Sequence, residues 1–310
     1  MHCTQNLDRS EAGRSLGYDL YVYRSSLELT RASQSMREGF AHAASRRPAR
    51  TLPDRFARKW LQLRCNAHAR GRAFDAQVTP ALLRSLDVAE CPITRVTLTH
   101  GALIDSDWSV DRLNNDAGYA ANNLAVMSTR ANAAKGSRTI DQVLQLAGGV
   151  AATDGLQPVE WMRMAAMMLG PCYATAPRLA PMLPHIVPVS SHRLLLVSQQ
   201  VQHVLCTMTA TQAGKNRLIK AFRDACAGDS PQLKLRVLAD TVHAGRKGLV
   251  HACDVWLRAD AFDALRRWRD ALDDASWARI AEIARQLAGG RPVAPQRLQS
   301  WQLGSRGYAH

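Results

Sequence analysis

The chain has 310 residues, a formal net charge of +14 and 46% hydrophobic residues. That length allows about two domains with buried cores, and the charge favours a polyanionic partner. Seven scattered cysteines without a CxxC pair argue against a disulfide framework and a four-cysteine zinc site. No stretch has the apolar length of an export leader or a membrane span. A reducing, cytoplasmic setting without membrane contact is therefore expected.

Residues 1–52 are expected to form an N-terminal segment with partial disorder. Within it YDLYVYRSSLELT suits either a strand or a short helix, and SRRPARTLP reads as a linker. From Asp54 to Arg72, Phe56, Trp60, Leu61 and Leu63 recur near helical period, which predicts an amphipathic helix with arginines on its other face. Arg46, Arg47, Arg50, Arg55, Arg58, Lys59, Arg64, Arg70 and Arg72 face a single acid, Asp54, over that span. Only six of the 40 basic residues are lysine, and the planar guanidinium suits bidentate phosphate contact.

TPALLRSLDVAE predicts a short helix with Thr79 as N-cap and Pro80 in its first turn. CPITRVTLTHG places Ile93, Val96 and Leu98 as a half-buried strand would. WSVD and NLAVM read as two more strands around the turn-rich NNDAGYAAN, and STRANAAKG as a short helix ended by Gly136. Residues 151–190 are expected to hold a helix and a proline-rich connection, and 191–310 an α-helical domain. Trp256, Trp268, Trp277 and the methionines of WMRMAAMM read as core. The fold class is mainly α with a small ββα module in 53–150 and an α-helical C-terminal domain.

Strand, loop, strand and helix, with an acid on the first strand and an asparagine on the helix, is the layout of a ββα-metal finger. The residues Ser109, Val110, Asp111, Arg112 and Leu113, then Gly118, Tyr119, Asn123 and Leu124, then Ser128, Arg130, Ala131, Asn132 and Lys135 resemble the phage and bacterial subgroup of HNH-type endonucleases. AHARGRAF from Ala67 and CPIT from Cys91 extend the resemblance, which covers about residues 55–150. The HNH domain of RNA-guided CRISPR nucleases is also similar, with an Asp and an Asn as metal ligands. Its second Asn precedes the helix ligand by nine residues, the separation of Asn123 and Asn132 here.

The resemblance implies a metal-dependent endonuclease acting on DNA. Asp111 and Asn132 would hold a divalent ion, Mg²⁺ first and Mn²⁺, Ni²⁺ or Zn²⁺ as alternatives, and Asn123 would brace the loop. Asp107 and Asp116 are further carboxylates near that set. Arg58, Lys59, Arg64, Arg70, Arg72, Arg130 and Lys135 would contact the nucleic acid. Arg112 stands where such enzymes carry the histidine base; an arginine stays protonated and can only bind phosphate or steady negative charge. His100, at the end of LTH, is the substitute base offered by the sequence.

Two other readings stand beside this one. One is an HNH-like nucleic-acid-binding protein that has lost cleavage with the histidine; the other is a helical protein-interaction module carrying a vestigial HNH segment. Cys65, His68, Cys91 and His100 match no familiar zinc spacing, and the adjacency of Ser190, Ser191 and His192 makes no triad.

Overall fold

The computed structural model describes residues 2–25, 32–189 and 194–288, with Leu298 and Trp301. Ser190, Ser191 and His192 lie outside them. The chain divides into two compact units: residues 1–87, 115–124 and 295–305 form the first, and 88–114, 125–294 and 306–310 the second. This division cuts across the segments expected from composition.

The first unit is helical from its start. Helices α1 (His2–Val22) and α2 (Gln34–Arg46) pack as a pair, where partial disorder was expected. The cause is close backbone approach. A Cβ on Gly17 would stand 1.9 Å from Met36 O, and one on Gly39 would stand 1.9 Å from Arg14 O, so the two helices touch where neither carries a side chain. Leu16, Leu20, Ala32, Met36 and Leu61 fill the space beside that contact.

Helix α3 (Arg55–Ala69) is the basic amphipathic helix read from the sequence, capped by Asp54, which accepts from Ala57 N at 2.8 Å. Phe56, Leu61 and Leu63 are buried, and Trp60 Nε1 donates to Val78 O at 2.6 Å. Helix α4 (Pro80–Ser85) starts as expected, with the Thr79 hydroxyl accepting from Leu82 N at 3.1 Å.

The second unit carries the sheet. Among the described residues the sheet has two strands, β1 (Trp108–Arg112) and β2 (Leu124–Ser128), running antiparallel. The expected strand in CPITRVTLTHG is absent; that segment makes only isolated bridges, Glu90 with Thr97 and Thr99 with Asp107. Arg95 adopts a positive φ of 58° in this segment, which breaks extended backbone at its centre.

After β2 come α5 (Thr129–Lys135), α6 (Ile140–Ala147) and α7 (Pro158–Cys172). Helix α7 is buried on nearly every side, with Trp161, Met164, Met167, Met168 and Leu169 enclosed, as an apolar helix must be. Helices α8 (Val197–Met208), α9 (Gln212–Arg223), α10 (Asp229–Gly245), α11 (Ala259–Asp270) and α12 (Asp274–Leu287) follow. Their core includes Phe222, Trp256 and Trp268, with Trp277 packed against it. Within the proline-rich connection His185 is buried, and its N–H donates to Gln202 Oε1 at 2.7 Å.

The glycine contact yields a prediction in which two effects oppose. Gly39→Ala raises helix propensity by about 1 kcal/mol, yet its methyl meets backbone that cannot rotate aside. Overpacking of about 1–3 kcal/mol is expected to win, so Gly39→Ala should lower the unfolding midpoint in urea. A raised midpoint would show that the helices separate freely.

Candidate functional site

Side chains on a strand alternate between faces, so Ser109 and Asp111 share one face of β1 and Trp108, Val110 and Arg112 the other. On α5, Asn132 and Lys135 are three residues apart and neighbours on one helical face. The two pairs meet. Asn132 Nδ2 donates to Ser109 Oγ at 2.7 Å, and Lys135 Nζ stands 2.8 Å from Asp111 Oδ2. Lys135 Nζ also donates to Arg112 O at 2.8 Å.

Burial gives this joint its character. The Lys135 side chain is 0% exposed and that of Asp111 13%. Burial pushes the Asp111 carboxyl above its ordinary pKa, while the Lys135 charge and hydrogen bond pull the other way. Ser128 starts α5 in the right place: its hydroxyl accepts from Ala131 N at 3.3 Å.

The other expected residues have contacts of their own. Asn123 lies in the first unit, fully buried, and its Nδ2 donates to Gly118 O at 2.9 Å, closing the turn that carries Gly118 and Tyr119. His100 is exposed, with its ring 6.1 Å from that of Trp108. Trp108 is on the strand face opposite Asp111, so this contact does not bring His100 to the carboxylate. Asp107 is a loop organiser: its carboxylate accepts from Thr99 Oγ1 at 2.6 Å, Leu103 N at 2.7 Å and Ala102 N at 3.2 Å. The Thr99 hydroxyl is the main cause of its lowered pKa. Asp116 is exposed in the first unit, where its carbonyl accepts from Arg72 Nη1 at 3.3 Å.

The basic residues divide into exposed and committed ones. Arg58, Arg70 and Arg72 are exposed on the first unit, Arg72 with one guanidinium nitrogen on Asp116 O. Arg64 is committed to Asp19 and Ser15, with its guanidinium 4.5 Å from the Trp60 ring centroid. Lys59 donates to Gln62 Oε1 at 2.9 Å. Arg130 pairs with Glu160 at 3.3 Å and keeps 36% of its side chain exposed. Lys135 does not reach solvent, so the expected contact between its ammonium and a phosphate is not met in this geometry.

Cys91, read from the sequence as part of the CPIT motif, is buried beside the joint. Cys91 Sγ accepts from Ser128 N at 3.2 Å and from Thr94 N at 3.5 Å, and the hydroxyls of Thr94 and Ser128 lie 3.4 Å apart. Burial opposes ionisation of this thiol, but the bonds from Ser128 and Thr94 hold its pKa below the ordinary value.

A divalent ion does not fit the residues as arranged. Such an ion takes oxygen ligands, whereas the Asp111 carboxylate already stands 2.8 Å from the buried Lys135 ammonium; Asn132 is tied to Ser109 through Nδ2, which leaves its amide oxygen uncommitted by that bond. Among the described residues no three of His, Cys, Asp and Glu cluster as a metal group. No family model, no curated protein and no solved structure matches the chain.

Asn123→Ala tests the buried turn. It leaves the Gly118 carbonyl without the amide donor, a loss of about 1–3 kcal/mol for a buried acceptor. The urea midpoint should fall accordingly; an unchanged midpoint would mean the turn does not depend on this bond.

Proposed function

We propose that this chain is an HNH-like ββα protein that binds DNA, and that it binds without metal-dependent cleavage. The observation that carries the reading is the arrangement of β1, β2 and α5. Asp111 and Asn132 stand on facing elements, as the HNH resemblance requires, yet the carboxylate is taken by a buried lysine. Arg112 in the place of the histidine base supports the same reading, since a guanidinium accepts no proton at ordinary pH.

DNA is the favoured partner because of the net charge of +14 and the exposed Arg58, Arg70 and Arg72. Guanidinium groups in these positions can contact phosphates without reading sequence. No described helix is long and apolar enough to cross a membrane. A second reading, the metal-dependent endonuclease, is favoured by the presence of both Asp111 and Asn132 at one joint.

Incubation of the full chain with supercoiled plasmid in Mg²⁺, Mn²⁺ or Ni²⁺, against an EDTA control, separates the two readings. Binding without nicking is expected. Metal-dependent nicking that disappears in Asp111→Ala and Asn132→Ala would establish the endonuclease instead.

The arginines can be tested apart from cleavage. Replacing Arg58, Arg70 and Arg72 by Ala should weaken DNA binding and flatten its dependence on log salt by about 0.9 for each phosphate no longer neutralised. Arg64→Ala should lower stability with little change in that slope, because its guanidinium is already engaged by Asp19 and Trp60. An unaltered slope in the triple variant would place the DNA-binding surface elsewhere.

A further inference from the structure

We infer that the Lys135 ammonium is a built-in cation that takes the place of a divalent ion between β1 and α5. The inference rests on the HNH-like reading for the identity of the position. Its physical basis is the geometry of the joint itself.

Charge balance comes first. Asp111 contributes one negative charge, and Asn132 and Ser109 contribute none. A single ammonium neutralises the carboxylate one to one, whereas a divalent ion on the same ligands would leave a net positive charge in a largely buried place. Such a charge is costly without a further anion.

Geometry agrees with this balance. Lys135 Nζ is 2.8 Å from Asp111 Oδ2 and 2.8 Å from Arg112 O, so it bridges the strand's acid and the strand's main chain. It arrives from α5, the element that also carries Asn132.

Lys135 also obstructs any added ion. A divalent cation entering beside it would set three positive charges against one carboxylate at short range, where low dielectric magnifies the repulsion. Its side chain is 0% exposed, so the ammonium has no solvated position to occupy without opening the joint. Asp111 is therefore open to a metal only when Lys135 is absent.

The test uses the full chain, with Mn²⁺ as probe and thermal unfolding as the readout. Wild-type protein should melt at the same temperature in EDTA and in millimolar Mn²⁺. Lys135→Ala should melt lower by on the order of 10 °C, since it strands a buried carboxylate. It should recover part of that loss in Mn²⁺ by binding the ion in the folded state. The recovery should vanish in Lys135→Ala/Asp111→Asn.

A Mn²⁺-dependent rise in wild-type melting temperature that Asp111→Asn abolishes would overturn the inference, and this arm holds even if Lys135→Ala does not fold. A folded Lys135→Ala that gains nothing from Mn²⁺ would also overturn it. DNA binding by the same wild-type protein reports separately on the HNH-like reading. Its absence would remove that reading and leave the metal result intact.

Discussion

A buried ammonium on a carboxylate that keeps 13% of its surface, Lys135 on Asp111, fixes how the only described sheet meets the helix that follows it. Desolvating two charges is expensive, and their mutual attraction repays that cost only with good geometry and satisfied hydrogen bonds. Here the ammonium, ion-paired with Asp111, donates a hydrogen bond to Arg112 O, and the neighbouring Asn132–Ser109 bond sets the same register. The strand repeats by two residues and the helix by three or four, so the two pairs align only when β1 and α5 lie face to face.

Neighbouring structure keeps that alignment. Asp107, just before β1, uses its carboxylate to order residues 99–103 and its carbonyl to accept from Thr129 N at 2.8 Å, which ties the start of α5 to the start of β1. Ser128 caps α5 and donates its N–H to Cys91 Sγ, which ties the same point to the preceding turn. Three short hydrogen-bonded links thus converge on the entrance to a helix of seven residues. So short a helix has little stability of its own and takes its position from these contacts.

Local patterns were the legible part of the fold. Short apolar runs marked β1 and β2, the Thr79–Pro80 start marked α4, and helical spacing of Phe56, Leu61 and Leu63 marked α3. Partners distant in sequence were not legible: the one-sided basic span around α3 receives Asp19 on Arg64 and Asp87 on Arg55. The α1–α2 pair was missed because its signal is two glycines whose value appears only once the helices touch. The break at Arg95 was hidden within an apolar pattern that suits a strand.

The site was half legible for a related reason. The HNH resemblance brought Asp111, Asn123 and Asn132 forward, but a lysine in a short helix reads as a solvated charge. Its burial follows from an acid on a strand that only the folded chain brings near. A double-mutant cycle on Asp111→Asn and Lys135→Met, followed by urea unfolding, measures that pairing most directly. The two substitutions should couple by about 3 kcal/mol, with the double variant more stable than the sum of the single losses requires. Additivity to within about 0.5 kcal/mol would contradict a buried pair as the joint between β1 and α5.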